Sequence, residues 1–255
     1  MAAETHVDNS ITNPVPFVRN NIESTMTLLE FARGLPNLKA FFYFSTDEVF
    51  GSASLNFDGF KEEDSYNPTN PYSASKASSE LLCKSYFNTY KVPVIILNVM
   101  NAFGERQHPE KFIPLCIKKI LSGEELTIHA YPGAEKRPGS RFYIHARNIA
   151  AAVLFLLENG VVGERYNVKG EAEVDNLELA LAIGKIIGKK VKYKLDGHVE
   201  TRPGHDVRYA LDGSKMKSMG WRLPATFLES LRSTVTWTLE NKQWLNDDDF
   251  KFSKI

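Results

Sequence analysis

Short apolar runs separated by polar, helix-like stretches mark the first half of the chain. The runs at 40–44 (AFFYF) and 92–98 (VPVIILN) are β-rich and too short for helices, which predicts two buried parallel strands. Between them, helix-favouring residues follow Pro71, so a helix is predicted from Tyr72 to about Tyr90. An earlier helix is predicted from Phe17 to Arg33. Strands that alternate with helices in this way indicate an α/β fold with a parallel sheet.

The alternation loosens beyond Ile117, where a smaller mixed α/β lobe is expected to begin. Its predicted elements are two strands and the helix between them, at 126–129, 165–168 and 146–158. We therefore expect one domain over residues 1–116, a second lobe over 117–245 that is interleaved with the first in space, and a tail at 246–255.

Composition and charge narrow the class of protein. Lysine plus arginine equal aspartate plus glutamate at 31 each, so bulk charge predicts no nucleic-acid or membrane partner. The longest apolar run, Ile149–Leu157, falls short of the roughly 20 residues of a membrane span, and no leader pattern is present. Cys83 and Cys116 lie in helical patterns and are expected to be reduced core thiols, and no metal-ligand spacing is evident. These features predict a soluble, cytoplasmic protein.

Candidate chemistry follows the first predicted strand. Thr46, Asp47 and Glu48 stand at its carboxyl end, where open α/β sheets bind ligands. Tyr72 and Lys76 lie four residues apart and share one helix face. An ammonium beside a phenol should lower its pKa from about 10, so that it can take a proton from a sugar hydroxyl. The two carboxyl groups would then serve a second acid–base step. Alone, each motif more often means a solvated pair or a capped turn.

The joint arrangement is more specific than its parts. A strand, Ser-Thr-Asp-Glu, a loop of some twenty residues and Pro-Tyr-Ser-Ala-Ser-Lys together resemble the active site of the extended short-chain dehydrogenase/reductases. The adjacent acids are similar to those of the dTDP-glucose 4,6-dehydratases within that family, whereas the 4-epimerases lack the pair and the UDP-glucuronate decarboxylases keep only the Glu. The resemblance implies a Rossmann-like, doubly wound parallel sheet, NAD as cofactor, and Thr46, Asp47, Glu48, Tyr72 and Lys76 as catalytic residues.

Further matches extend the resemblance from Ala2 to about Trp244. They include His108–Pro114 (HPEKFIP) and Arg202–Ala210 (RPGHDVRYA). The resemblance implies a nucleotide-diphosphate sugar as substrate, bound by Thr5, Asn101, Lys111, Phe112, Thr127, His129, Arg141, Asn176, Arg202 and His205. For Asn176 a helix N-cap is the competing role, although Asp175 could serve as the cap instead.

The cofactor side is incomplete in this sequence. The resemblance implies that NAD contacts Ala2, Ala3, Glu4, Asn20, Tyr72 and Lys76. The family segment with the Gly-x-x-Gly-x-x-Gly loop, which brings backbone N–H groups to a pyrophosphate, has no counterpart here. We therefore expect an N-terminally truncated sheet, a homodimer through the helices at Phe17 and Tyr72, and a separate chain as one possible source of the missing segment.

The implied reaction has three stages. Tyr72, assisted by Thr46, removes the O4 proton as hydride leaves C4 of the sugar. Glu48 then takes the C5 proton while Asp47 protonates the departing C6 hydroxyl, and hydride returns to C6. Two alternatives stay open: a non-catalytic nucleotide-sugar-binding remnant, and a related NAD-dependent epimerase or decarboxylase.

Overall fold

The computed structural model describes residues 3–130, 137–196 and 208–246. Within these residues the α-helices are α1 (Val7–Thr12), α2 (Val15–Phe17), α3 (Ser24–Arg33), α4 (Pro71–Tyr90), α5 (Phe112–Ser122), α6 (Ala146–Asn159), α7 (Asn176–Ile187), α8 (Ser214–Ser218) and α9 (Phe227–Glu240). The strands are β1 (Phe41–Thr46), β2 (Val94–Val99), β3 (Ala102–Phe103), β4 (Glu125–His129), β5 (Ser140–Phe142), β6 (Ile144–His145), β7 (Arg165–Val168), β8 (Glu173–Asp175) and β9 (Lys192–Asp196). Single turns of 3₁₀-helix cover Asp47–Phe50 and Lys242–Leu245, and a π-helix covers Val18–Glu23.

The described residues form two compact units that alternate along the chain. Unit 1 contains residues 3–100, 149–169 and 208–222, and unit 2 contains the described parts of 101–148, 170–199 and 223–246. This division differs from the expected boundary at residue 116. Residues 101–116 belong to unit 2, while β7 returns to unit 1 because it pairs with β2. The assignment of cofactor binding to one part and nucleotide-sugar binding to the other remains a prediction.

Unit 1 is built on a parallel three-stranded sheet with the order β1-β2-β7. The helix α4 connects β1 to β2, as the sequence predicted. The helices α3 and α4 cover apolar residues of the sheet in one core cluster, whose fully or nearly buried members are Leu29, Ala32, Tyr43, Cys83, Tyr86, Val92, Val94 and Ile96. The parallel pairing aligns the carboxyl ends of β1 and β2, which places the turn after β1 at the ligand-binding edge of the sheet.

Local sequence fixes both ends of α4. Asn70 accepts a hydrogen bond from the Ser73 backbone, Ser73 bonds back to the Asn70 backbone, and Pro71 occupies the first turn. The helix ends at Lys91, which adopts the left-handed conformation at φ 60°. Tyr72 is thereby held in the first turn of a well-capped helix.

The predicted helix from Phe17 to Arg33 is a continuous helical segment with a π-turn inside it. The helix α3 buries Thr25, Leu29 and Ala32. Its opposite side leaves Leu28 and Phe31 exposed, Phe31 by 66%. This segment therefore has an apolar outer face as well as a buried one.

Unit 2 combines three small strand pairs with helices. The strands β4 and β9 are parallel, β3 and β6 are parallel, and β5 and β8 are antiparallel. The helices α5, α7 and α9 contribute to one core, whose central buried residues include Ile113, Cys116, Ile117, Leu126, Ile128, Leu179, Ile183, Leu231 and Val235.

Both cysteines are free and buried. Burial raises the pKa of each thiol to about 12, which agrees with the predicted core thiols. In the part of the chain that the structure describes, no helix has the length and apolar character needed to cross a bilayer. No three His, Cys, Asp or Glu side chains cluster as a metal site would require, again among the described residues.

Candidate active site

The turn after β1 gathers three of the predicted catalytic residues. The Thr46 hydroxyl donates to Asp47 Oδ1 at 3.0 Å and accepts from the Glu48 backbone N–H at 3.4 Å. Thr46 and Asp47 are buried, and Glu48 is half-buried. The turn closes at Gly51 (φ 81°), where an added Cβ would lie 2.4 Å from the Asn67 carbonyl oxygen. Only glycine fits this turn, so the backbone orients the two adjacent acids.

The Tyr72 hydroxyl belongs to the same group of side chains. Burial raises the pKa of Tyr72, the charges of Glu48 and Asp47 raise it further, and the neighbouring Thr46 hydroxyl lowers it. The first turn of α4 thus lies against the turn that carries the two acids, within electrostatic range of both carboxylates. The direction of the shift is opposite to the one expected from the Tyr72–Lys76 spacing, because burial and two carboxylates outweigh any cationic help.

The position of the Lys76 ammonium explains part of the difference between the expected and the observed direction of the Tyr72 pKa shift. Its ammonium donates to the Phe44 carbonyl at 2.6 Å and lies 4.4 Å above the centre of the Tyr43 ring. Burial lowers the pKa of Lys76 to about 8, and the nearby Glu80 charge opposes that shift. The spacing correctly places Lys76 on the buried face of α4, but its ammonium engages the strand backbone.

A buried polar network supports the site from behind, and sequence reasoning did not find it. Glu80 is 0% exposed and forms an ion pair with Arg165, which is 4% exposed, at 3.0 Å. Glu80 also accepts from Asn98 Nδ2 at 2.8 Å, from the Tyr66 hydroxyl at 3.0 Å, and from Ser45. Ser45 immediately precedes Thr46, so the network ties α4 to the strand end that carries the acids.

The N-terminal residues reach α4 through one buried amide. Asn21 accepts from the Glu4 backbone N–H at 2.9 Å and donates to the Glu4 carbonyl and to Ser75 on α4. Asn20 donates to Glu4 Oε1 at 3.1 Å, so two of the predicted cofactor residues meet. Ala3 is exposed beside them. Asn21 was missed as a site-building residue; its place directly after the predicted cofactor residue Asn20 was the available signal.

Unit 2 holds most of the predicted substrate residues. Arg141 lies on β5 opposite Val174 of β8, and Nη1 donates to the Ser140 carbonyl at 2.7 Å. Asn176 accepts from the Tyr143 hydroxyl at 2.8 Å, while Asp175 caps α7 through the N–H groups of Leu177 and Glu178. The competing cap role of Asn176 therefore falls to Asp175.

Other predicted substrate residues are more dispersed. Lys111 is the N-cap of α5 and pairs with Glu110 at 3.5 Å, and Phe112 packs against the core of unit 2. Thr127 and the exposed His129 lie on β4. Two further residues, Asn101 after β2 and the exposed Thr5, are in units 2 and 1 respectively. Ala2, Arg202 and His205 lie outside the described residues.

Comparison with known proteins identifies the family. A family model described as GDP-mannose 4,6 dehydratase matches residues 1–234. The chain belongs to this family. Its relatives include the dTDP-glucose 4,6-dehydratase of Haemophilus influenzae, which is 40% identical over 94% of this chain and 75% of the relative. The enzyme of the same description from Neisseria gonorrhoeae is also 40% identical, over 95% of this chain and 74% of the relative.

Solved structures agree with the family and the fold. The dTDP-glucose 4,6-dehydratase of Streptomyces venezuelae, solved with NAD bound, matches with a TM-score of 0.83 at 35% identity, over 96% of this chain and 73% of that one. The UDP-glucuronic acid 4-epimerase of Bacillus cereus, solved with UDP-glucuronic acid and NAD, matches with a TM-score of 0.83 at 25% identity, over 94% and 74%. The predicted Rossmann-like α/β fold is confirmed. This chain spans about three quarters of the length of the relatives and structures named above.

Proposed function

We propose that this chain is a nucleotide-sugar 4,6-dehydratase, a lyase that converts dTDP-glucose to dTDP-4-keto-6-deoxyglucose. The observation that carries the proposal is that α4, with Tyr72 buried in its first turn, packs against the turn at the carboxyl end of β1 that holds Thr46, Asp47 and Glu48. One phenol can serve an oxidation at C4, and two adjacent acids can serve an elimination across C5 and C6. The dTDP-glucose 4,6-dehydratases among the relatives support this reaction over the epimerase and decarboxylase alternatives.

In the first stage the ionised Tyr72 takes the proton from the sugar O4, with Thr46 beside it. Burial and the two carboxylates oppose that ionisation, and the positive charge of a bound nicotinamide ring would favour it. When bound, NAD would supply the acceptor for the C4 hydride and the donor of the hydride that C6 receives, while Glu48 returns its proton to C5. Tyr72 and Lys76 would hold the reactive end of NAD, with Glu4 and Asn20 nearby in the N-terminal segment. These hydroxyl, amine, carboxyl and amide groups can hydrogen-bond the ribose hydroxyls and the carboxamide of the nicotinamide half. No Gly-x-x-Gly-x-x-Gly loop occurs in the sequence, and a separate chain that carries one would complete the pyrophosphate site.

In the second stage the 4-keto group makes the C5 proton acidic. Glu48 takes this proton, the electron pair forms the C5–C6 double bond, and the C6 hydroxyl leaves as water after Asp47 gives it a proton. The Thr46–Asp47 hydrogen bond at 3.0 Å restrains the acid at the start of the same turn. Two adjacent carboxyl groups on one rigid turn can thus act on neighbouring carbons.

Residues of unit 2 are proposed to bind the rest of the substrate. The planar guanidinium of Arg141 suits a diphosphate, because it can bind two oxygens at once. Lys111 and Asn176 would add donors. Arg202 and His205, which do not belong to unit 2 and lie outside the described residues, are proposed as further donors. The Asn101 carboxamide oxygen is buried without a hydrogen-bond partner among the described residues, so a sugar hydroxyl would satisfy it.

We also propose a homodimer and a cytoplasmic location. The exposed apolar side chains of α3 and α4, namely Met26, Leu28, Phe31 and Leu81, would be covered by the same helices of a second copy. Sedimentation equilibrium of the wild-type chain and of Phe31→Glu tests this: the variant should be shifted towards monomer. Two unpaired buried thiols are consistent with a reducing compartment.

The test of the proposed reaction is Glu48→Gln. The wild-type chain should release dTDP-4-keto-6-deoxyglucose from dTDP-glucose when NAD is present. The variant should stop at the 4-keto-glucose stage, with product formation reduced by at least about a hundredfold, because general-base catalysis contributes roughly 10²–10⁴-fold. Glu63→Gln, on an exposed loop residue, is the matched control and should keep full activity. A wild-type rate in Glu48→Gln would refute the role assigned to Glu48.

A nucleotide-sugar-binding protein that performs no chemistry is the competing proposal. Calorimetric titration separates the two proposals. Binding of both NAD and dTDP supports the dehydratase, whereas binding of dTDP alone supports the non-catalytic binder for this chain.

A further inference from the structure

A tyrosine outside every predicted site contacts the proposed base. The Tyr209 hydroxyl donates to Glu48 Oε2 at 3.2 Å, and Tyr209 is only 4% exposed. The two residues are 161 positions apart, so the contact depends on the fold and not on local sequence. Burial of Tyr209 favours a charge-assisted hydrogen bond of this kind, because water does not compete for the phenol proton.

The segment that carries Tyr209 is fastened to the loop that follows Glu48. Arg208 is buried, and its Nη1 donates to the carbonyls of Ser54 at 2.6 Å and Phe57 at 2.8 Å. The backbone N–H of Ala53 donates to the Arg208 carbonyl at 3.0 Å. The backbone beside Tyr209 is therefore held in place by hydrogen bonds to the loop that follows Glu48.

A second set of backbone contacts holds the other side of Tyr209. Phe60 N–H donates to the Ala210 carbonyl at 3.0 Å, and Asp212 N–H donates to the Phe60 carbonyl at 2.8 Å. Gly59 permits this approach, because an added Cβ would lie 2.5 Å from the Leu211 carbonyl carbon. The hydroxyl is thus presented to Glu48 by a segment paired on both sides of it.

We infer that Tyr209 is a positioning residue that fixes the Glu48 carboxylate for removal of the C5 proton. The inference rests on the proposed function and extends it to a residue that was not among the predicted site residues. The phenol stabilises the ionised carboxylate and holds one of its oxygens, so the rotation of the side chain is restricted before the substrate arrives. Preorganisation of this kind lowers the cost of reaching the reactive geometry.

The experiment isolates this proton transfer from hydride transfer. The chain is incubated with dTDP-4-keto-6-deoxyglucose in D₂O, and loss of the C5 proton signal is followed by NMR. Exchange requires that the C5–H bond breaks, that its proton passes to Glu48 while the electron pair forms the C4 enolate, and that a deuteron then returns to C5. No oxidation or reduction takes part, so the rate reports the base alone.

Tyr209→Phe should slow exchange about ten- to a hundredfold, the scale of one lost hydrogen bond to a charged group, without weakening binding of the keto sugar. Tyr86→Phe is the matched control, since the Tyr86 hydroxyl donates to another carboxylate, Glu30, at 2.6 Å on α3. It should exchange at the wild-type rate. In a Glu48→Gln background, Tyr209→Phe should not slow C5 exchange further, because Glu48→Gln already removes the carboxylate that Tyr209 positions.

The outcomes are distinguishable. Exchange by Tyr209→Phe at the wild-type rate, with binding intact, overturns the inference and leaves the proposed function standing. A wild-type chain that binds the keto sugar but exchanges no C5 proton overturns the proposed function itself. Equal losses of binding and exchange in Tyr209→Phe would indicate a purely structural role and would also overturn the inference. Thermal melting of each variant is measured beside the exchange rate.

Discussion

The proposed catalytic residues of unit 1 and the proposed nucleotide-binding residues of unit 2 are held in different ways. Thr46, Asp47 and Tyr72 are buried, and the Glu80–Arg165 pair braces the strand end beside them. His129 in unit 2 is exposed, and Lys111 pairs with a neighbouring surface acid. Groups that move protons need a fixed geometry before the ligand arrives, whereas groups that grip a diphosphate can be ordered by it. Variants in the two units should therefore fail differently.

The largest expected effect on stability is that of Arg165→Met. The change leaves the fully buried Glu80 carboxylate without its ionic partner, which should cost about 3–5 kcal/mol of unfolding free energy. Lys194→Met in unit 2 is the matched control, since Lys194 and Glu125 form an exposed pair at 3.9 Å. It should cost less than about 1 kcal/mol. Urea unfolding measures both, and similar losses in the two variants would remove the contrast between the units.

A smaller effect on the unfolding free energy is expected from the buried ammonium of Lys76. Its pKa is lowered from 10.5 to about 8, so the folded chain releases this proton at a lower pH than the unfolded chain. The cost of burying the charge is fully present below about pH 8. Between about pH 8 and pH 10.5 the unfolded state binds more protons than the folded state. The unfolding free energy should therefore rise with pH by up to about 3 kcal/mol over this interval.

Lys76→Met should lack this rise, and the comparison uses the difference between wild-type and variant unfolding free energies at each pH. Lys189→Met is the control, because Lys189 also donates to a backbone carbonyl, that of Leu121 at 2.8 Å, but at an exposed position. It should retain the wild-type dependence on pH. A flat difference between wild type and Lys76→Met across this interval would contradict the lowered pKa.

The smallest expected effect on stability distinguishes the roles of two neighbouring residues in unit 2, Asp175 and Asn176. Asp175→Ala removes the cap of α7 and should cost about 1 kcal/mol of unfolding free energy while dTDP affinity is unchanged. Asn176→Ala should instead weaken dTDP binding and cost less stability. Thermal melts and calorimetric titrations of both variants provide the measurement, and a reversal of the two phenotypes would exchange the roles assigned to these residues.

Local patterns accounted for much of the fold. The apolar runs at 40–44 and 92–98 became β1 and β2, and the capping residues around Pro71 began α4 where predicted, because these signals lie within a few neighbouring residues. The interleaving of the two units was not predictable in detail. It depends on β7 pairing with β2 across about seventy residues, and nothing in either strand specifies that partner.

The candidate site shows the same limit. The motifs located Asp47, Glu48 and Tyr72, since each stands at a recognisable strand end or helix start. They did not reveal that the Lys76 ammonium would bind the Phe44 carbonyl, because helical spacing fixes which face a side chain lies on but not the acceptor it reaches. Arg165 and Tyr209 were missed for a related reason. Each meets its acidic partner only through tertiary folding, 85 and 161 residues away in sequence.

The two thiols have a practical consequence for studying this chain. Cys83 and Cys116 are the only cysteines in the sequence, and burial keeps both almost entirely protonated at neutral pH, since the pKa of each is about 12. The thiolate is the reactive form towards maleimides, so the native chain should resist labelling. A single cysteine introduced at an exposed position such as Val161 in unit 1 or Leu228 in unit 2 would then accept a fluorophore selectively. Each unit could carry its own spectroscopic reporter without removal of any natural residue from the core.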